Sequence, residues 1–130
     1  ADGSPEHMLA ALAAVAPADL AATRLRVDPS HRLLRSDFPV LRIWQVHQEG
    51  CAGDRQVDLA SGPDFLLVRR AAEDVAIELM PAGEFAWLAA LAAGADLADA
   101  LDAALATDPA FDVAPALARR IADGTLRGIA

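Results

Sequence analysis

The sequence predicts an α+β protein, a small antiparallel sheet followed by three short helices. Three observations carry that reading. Phe65–Arg70 and Val75–Met80 are apolar runs joined by the polar Glu73 and Asp74, and the second run sets Val75, Ile77 and Leu79 against Ala76, Glu78 and Met80 with a period of two. Beyond it, Pro81, Asp96 and Asp112 stand where helices begin, each followed by apolar residues at spacings of three and four. The chain is also 55% hydrophobic and only 5% aromatic, which calls for a helix-rich core of alanine and leucine held by a few large side chains.

Taken in order, residues 1–8 read as a patternless cloning remnant, 9–39 as an N-terminal helix and linker, and 40–130 as the organised domain. Met8–Val15 is a short Ala/Leu helix stopped by Pro17. Arg24–Val27 alternates as a short strand, and Ser30–Ser36 forms one helical turn with Leu33 and Leu34 inward. Val40–Gln48, rich in β-branched and aromatic residues, is the best strand of the first half. Glu49–Arg55 is a loop, Gln56–Leu59 a brief strand and Ser61–Asp64 a turn before the hairpin. In the first of the three helices Phe85, Leu88, Leu91 and Ala92 form the apolar stripe, with Trp87 at one rim and Glu84 near the positive end. Gly94 closes it. Asp96 caps the second, whose stripe is Leu97, Leu101 and Leu105. Asp112 caps the third, with Val113, Leu117 and Ile121, and Gly124 closes that one. Leu126–Ile129 is an apolar tail suited to return to a sheet.

Charge and cysteine content narrow the function. Nineteen carboxylates against eleven arginines, with no lysine, give a net charge of −8, and the helical half is the most acidic part. Such a field repels a phosphate backbone. No apolar run approaches a membrane span, and one cysteine, Cys51, permits no internal disulfide. A soluble, cytoplasmic protein is expected.

Catalysis needs convergent acid, base, nucleophile or metal groups, and few are in view. His47, Glu49 and Cys51 are spaced at i, i+2 and i+4, but the glycines at 50 and 53 end the strand that would align them, and a metal site needs further ligands. Asp96, Asp99 and Asp102 lie at helical spacing and serve as a cap and a solvated face. There is no Gly-rich phosphate loop, no nucleophile elbow and no two-histidine motif. The expectation is a protein that is not an enzyme, with no cofactor and no metal.

Strand, strand, helix, helix, helix is the order of a winged-helix-like, peptide-recognition-element-like module, and such modules bind nucleic acid or a polypeptide. In the polypeptide reading the outer strand Val75, Ala76, Ile77, Glu78, Leu79 and Met80 offers backbone groups to a partner strand, with Leu117, Arg119 and Arg120 of the third helix beside it. The arginines would meet acidic residues of that peptide. Arg69-Arg70 and Arg119-Arg120 have a blander reading as solvated surface. The strand edge has one as well: Leu126–Ile129 or Arg24–Val27 would cover it from within the chain. In the nucleic-acid reading the third helix enters the major groove, with Asp108 and Asp112 at the end where phosphates should sit.

Several stretches resemble one family. Asp28-Pro29-Ser30 through Leu33-Leu34, then Pro39-Val40 and Ile43-Trp44, is similar to the Pro…Leu-Leu…Pro-Val…Ile-Trp segment of HvfC/BufC-type proteins. Leu66-Leu67-Val68-Arg69, the series Leu88, Leu91, Gly94, Leu97 and Ala100, and the closing Ala122-Asp123-Gly124-Thr125-Leu126 resemble the C-terminal domain of that family. The resemblance covers Leu9–Gly128 and not the family's usual N-terminal helical domain, often described as DNA-binding. It implies a partner protein for a multinuclear non-haem iron-dependent oxidase that modifies cysteines in ribosomally made peptides. The partner would bind the precursor's leader and present the core, while the oxidase itself holds the iron.

Overall fold

The structure, a computed structural model, describes residues 4–39, 42, 43, 46, 47, 63–71 and 73–130. It is α+β, and the chain divides into two compact units: residues 1–31 with 82–130, and residues 32–81.

The first unit opens with α1, Pro5–Ala13. Its start is written in the sequence: the Ser4 side chain accepts the His7 N–H, Pro5 occupies the first turn and Glu6 faces the positive end. Met8 is fully buried. The segment read as a cloning remnant therefore supplies a helix cap and a core side chain. A 3-10 helix, Pro17–Ala22, leads to β1, Leu25–Val27, which pairs antiparallel with the last strand, β5, Leu126–Ile129. Between them run α2 (Ala82–Ala92), α3 (Leu97–Thr107) and α4 (Val113–Ala122).

The expected caps are present. Asp96 accepts from the Asp99 N–H and Asp112 from the Ala114 N–H, while Gly94 (φ 97°) and Gly124 (φ 84°) take the left-handed turn that closes α2 and α4. The buried faces differ from the expected stripes. Trp87 lies in the core with Leu88 and Leu91, its ring 5.8 Å from that of Phe111, and not at a rim. On α3 the fully buried positions are Ala100 and Ala104; Leu97 and Leu101 are half-buried and Leu105 is exposed. Small side chains let α2 and α3 approach closely, so the leucines move to the edge of the contact. Gly83 shows how close the chain comes there: a Cβ on it would lie 2.8 Å from Asp108 Cβ.

The second unit holds a three-stranded antiparallel sheet in the order β2-β3-β4, made of Arg32–Ser36, Asp64–Ala71 and Asp74–Leu79. The hairpin stands where the alternation put it. Its register pairs Leu66 with Leu79 and Ala71 with Asp74. Two expectations upstream are corrected. Ser30–Ser36 is not a helical turn: Arg32–Ser36 is a strand paired with Asp64–Val68, and Leu34 is 51% exposed. Arg42, Ile43 and Val46, expected in a strand over Val40–Gln48, are helical, with the Ile43 N–H donating to the Pro39 carbonyl at 3.0 Å. Proline fits a first helical turn, and that local bond prevails over the β-propensity of the segment. The strand expected at Gln56–Leu59 lies outside the described residues.

Candidate functional site

The residues expected to bind a peptide fall in both units. Val75–Met80 belongs to the sheet unit, and Leu117, Arg119 and Arg120 belong to the helical unit.

β4 pairs with β3 on one side, and among the described residues no strand pairs with its other side. The two segments of the chain suited to cover it, Leu25–Val27 and Leu126–Ile129, pair with each other. The register fixes which groups face outward. The Met80 N–H donates to the Phe65 carbonyl at 2.7 Å, and directly opposed residues in an antiparallel pair alternate between bonded and non-bonded. Met80, Glu78, Ala76 and Asp74 therefore turn their backbone groups towards β3. Val75, Ile77 and Leu79 turn theirs away, towards the open edge.

The side chains of those three residues share a face with the strand neighbours they oppose. Leu34, Leu66 and Leu79 form a row across all three strands, and Val75 lies across from Arg70. Leu66 is buried, whereas Leu79 is 53% and Val75 59% exposed. Leu67 and Met80 occupy the opposite, buried face. An extended segment added beside β4 would meet backbone donors and acceptors at every second residue and would lengthen the apolar row. The other edge, β2, is shorter and carries the Arg35–Asp37 ion pair at 2.8 Å, which blunts it for pairing.

Arg119 and Arg120 do different work from that expected. Arg120 is 1% exposed, so it neither solvates the surface nor reaches a bound peptide. Its Nε donates to Glu84 Oε2 at 2.7 Å and its Nη1 to Asp123 Oδ2 at 2.8 Å. Arg119, half exposed, donates to Glu84 Oε1 at 2.6 Å. Glu84, read from sequence as a favourable charge at a helix start, is itself buried. A fork-shaped guanidinium between two carboxylates satisfies charges that burial would otherwise penalise heavily.

That network continues. The Thr125 hydroxyl donates to Asp123 Oδ1 at 2.6 Å and lies 3.0 Å from His31 Nδ1. With its one proton committed to the carboxylate, Thr125 accepts from the imidazole, so Nδ1 is the protonated nitrogen. His31 Nε2 lies 3.9 Å from Asp28 Oδ2, which also takes Arg127 at 3.1 Å. Burial acts to raise the Asp28 carboxyl, but the backbone and side-chain hydrogen bonds from Ser30, the charge of His31 and the Arg127 bond outweigh it and hold the group below its ordinary value. Threonine, histidine and aspartate in a row suggest a nucleophilic relay. Here the hydroxyl is fully buried and its proton already placed, and the nearer imidazole nitrogen donates where a general base must accept. The network ties α2, α4 and the chain on either side of the β1–β5 ribbon together.

Sequence reasoning did not find Glu84, Asp123, Thr125 or His31 as one group, because their partners lie up to 94 residues away. Glu49 and Cys51 lie outside the described residues; His47 is exposed, with Nδ1 bonded to the Ile43 carbonyl at 2.7 Å. Among the described residues no three His, Cys, Asp or Glu side chains converge as a metal site, and no helix is long and apolar enough to cross a membrane. Comparison with family models, with curated proteins and with solved structures finds no match to this chain.

Proposed function

We propose that this protein is a non-catalytic partner that binds a ribosomally made precursor peptide by strand addition at β4 and presents it to a multinuclear non-haem iron-dependent oxidase. One observation carries the peptide-binding part: the outward backbone groups of Val75, Ile77 and Leu79, with the Val75 and Leu79 side chains exposed and both candidate covering strands engaged elsewhere. The oxidase and the origin of the peptide rest on the motif resemblance, Asp28-Pro29-Ser30 to Ile43-Trp44 and Leu66 to Leu126. Main-chain pairing supplies affinity in this mode, and alternate side chains supply selectivity. With Arg120 buried, Arg70, exposed and directly across from Val75, offers a cation beside the edge.

The test is a titration of the isotope-labelled protein with synthetic leader peptides of cysteine-containing precursors, taken from the short reading frames that flank its gene. Amide shifts should appear at Val75, Ile77 and Leu79. Ile77→Pro removes an outward N–H and leaves the β3 ladder intact, so it should weaken binding at least about tenfold while the spectrum stays folded. Shifts confined to other residues, or an Ile77→Pro variant that binds as well as the parent, would remove the β4 edge from the reading.

A further inference from the structure

The helical unit carries a surface feature that the strand edge does not use. The half-buried leucines of α3 and the half-buried side of α4 wall an apolar groove of about 430 Å³ with the 3-10 helix. Its walls are Pro17 and Leu20, Leu97 and Leu101, and Val113 and Leu117. Leu20 is 42% exposed at its mouth. Two helices presenting i, i+4 pairs beside a gap form the surface into which the ridge of a third helix packs.

The charge around it is mainly negative. Asp19 adjoins Leu20, Asp102 adjoins Leu101 and Asp112 adjoins Val113, all exposed. Among the described residues no ion pair involves these three carboxylates. Of the arginines of the unit, Arg119 and Arg120 bind Glu84, Arg127 binds Asp28 and Arg26 lies in β1, while Arg24, exposed and bridged to Asp96, stands near the Leu97 end of the groove. The unit as a whole holds eleven carboxylates against five arginines. An apolar trough with an excess of negative charge along its walls selects an occupant that is apolar on one side and basic on the other.

We infer that the groove between the 3-10 helix, α3 and α4 docks a basic amphipathic helix of a partner protein. This does not depend on peptide binding at β4, since the residues concerned are different.

The probe is a synthetic leucine–lysine peptide about 14 residues long, with leucines at i, i+3, i+4 and i+7. One control carries glutamate in place of lysine, and another has the same composition with the periodicity scrambled. The amphipathic lysine peptide should shift amides of residues 17–21, 97–101 and 113–117 and leave Val75–Leu79 unmoved. Leu20→Asp, at an exposed position, should weaken it at least about tenfold, and Asp19→Asn with Asp102→Asn at least about threefold in low salt. Equal binding of the scrambled peptide would reduce the effect to net charge and overturn the inference. Equal binding of the glutamate peptide, or shifts outside the groove, would overturn it too. So would a groove that takes a small apolar molecule and neither helix.

Discussion

Glutamine in place of Glu84 is nearly isosteric, yet it leaves Arg120 charged, 1% exposed and short of its main counter-ion. Removing one partner of a buried pair costs about 3–5 kcal/mol, and Glu84→Gln should lose that much in urea denaturation. The double replacement Glu84→Leu with Arg120→Met should recover a large part, because a well-packed apolar pair avoids the desolvation of both ions. Arg119→Ala should cost no more than about 1 kcal/mol, since its side chain is half in water. A Glu84→Gln protein as stable as the parent would mean that the network is not closed in solution.

Asp28 gives the same region a pH dependence of known sign. Its folded carboxyl titrates below its ordinary value, so its contribution to stability is complete above that value and disappears as pH falls through the lower, folded one. The stability gap between the parent and Asp28→Asn should thus shrink under acid, below about pH 4. A gap that widens on acidification would reverse the assignment.

At the scale of the element, the β4 register makes a prediction that needs no ligand. The amides of Ala76, Glu78 and Met80 point into the ladder and those of Val75, Ile77 and Leu79 away from it. Hydrogen exchange in the free protein should alternate along the strand, slow and fast, and uniform protection would show the edge to be covered. The sequence anticipated the hairpin because one face of it is buried and a period of two survives any neighbour. Asp96, Asp112, Gly94 and Gly124 were legible for a similar reason, as caps and left-handed closures depend on local groups. What misled was packing at a distance. Leucines at 97, 101 and 105 look more like a core stripe than alanines at 100 and 104, but close helix contact favours the smaller residues. Likewise, nothing near Arg120 in sequence announces that Glu84 will bury it. The groove escaped notice because one wall, Pro17–Ala22, has no periodicity of its own.

At the scale of the whole molecule, charge weighs against nucleic-acid binding. A net charge of −8 sets a repulsive field, and the helical unit, with eleven carboxylates and five arginines, carries most of it. In the nucleic-acid reading α4 would have to supply the phosphate contacts, yet its two arginines are held by Glu84 and its N-terminus is capped by Asp112. Phosphate binding draws its affinity from counter-ions released by accessible cations. A duplex of about 20 base pairs should therefore show no change in fluorescence anisotropy on adding the protein at about 50 mM salt, where such contacts are strongest. Arg119→Ala should leave that result unchanged. Salt-sensitive binding that Arg119→Ala weakens would mean that α4 releases its arginines to phosphate. It would return the nucleic-acid reading to first place, and the Glu84 network would then be the element that has to open.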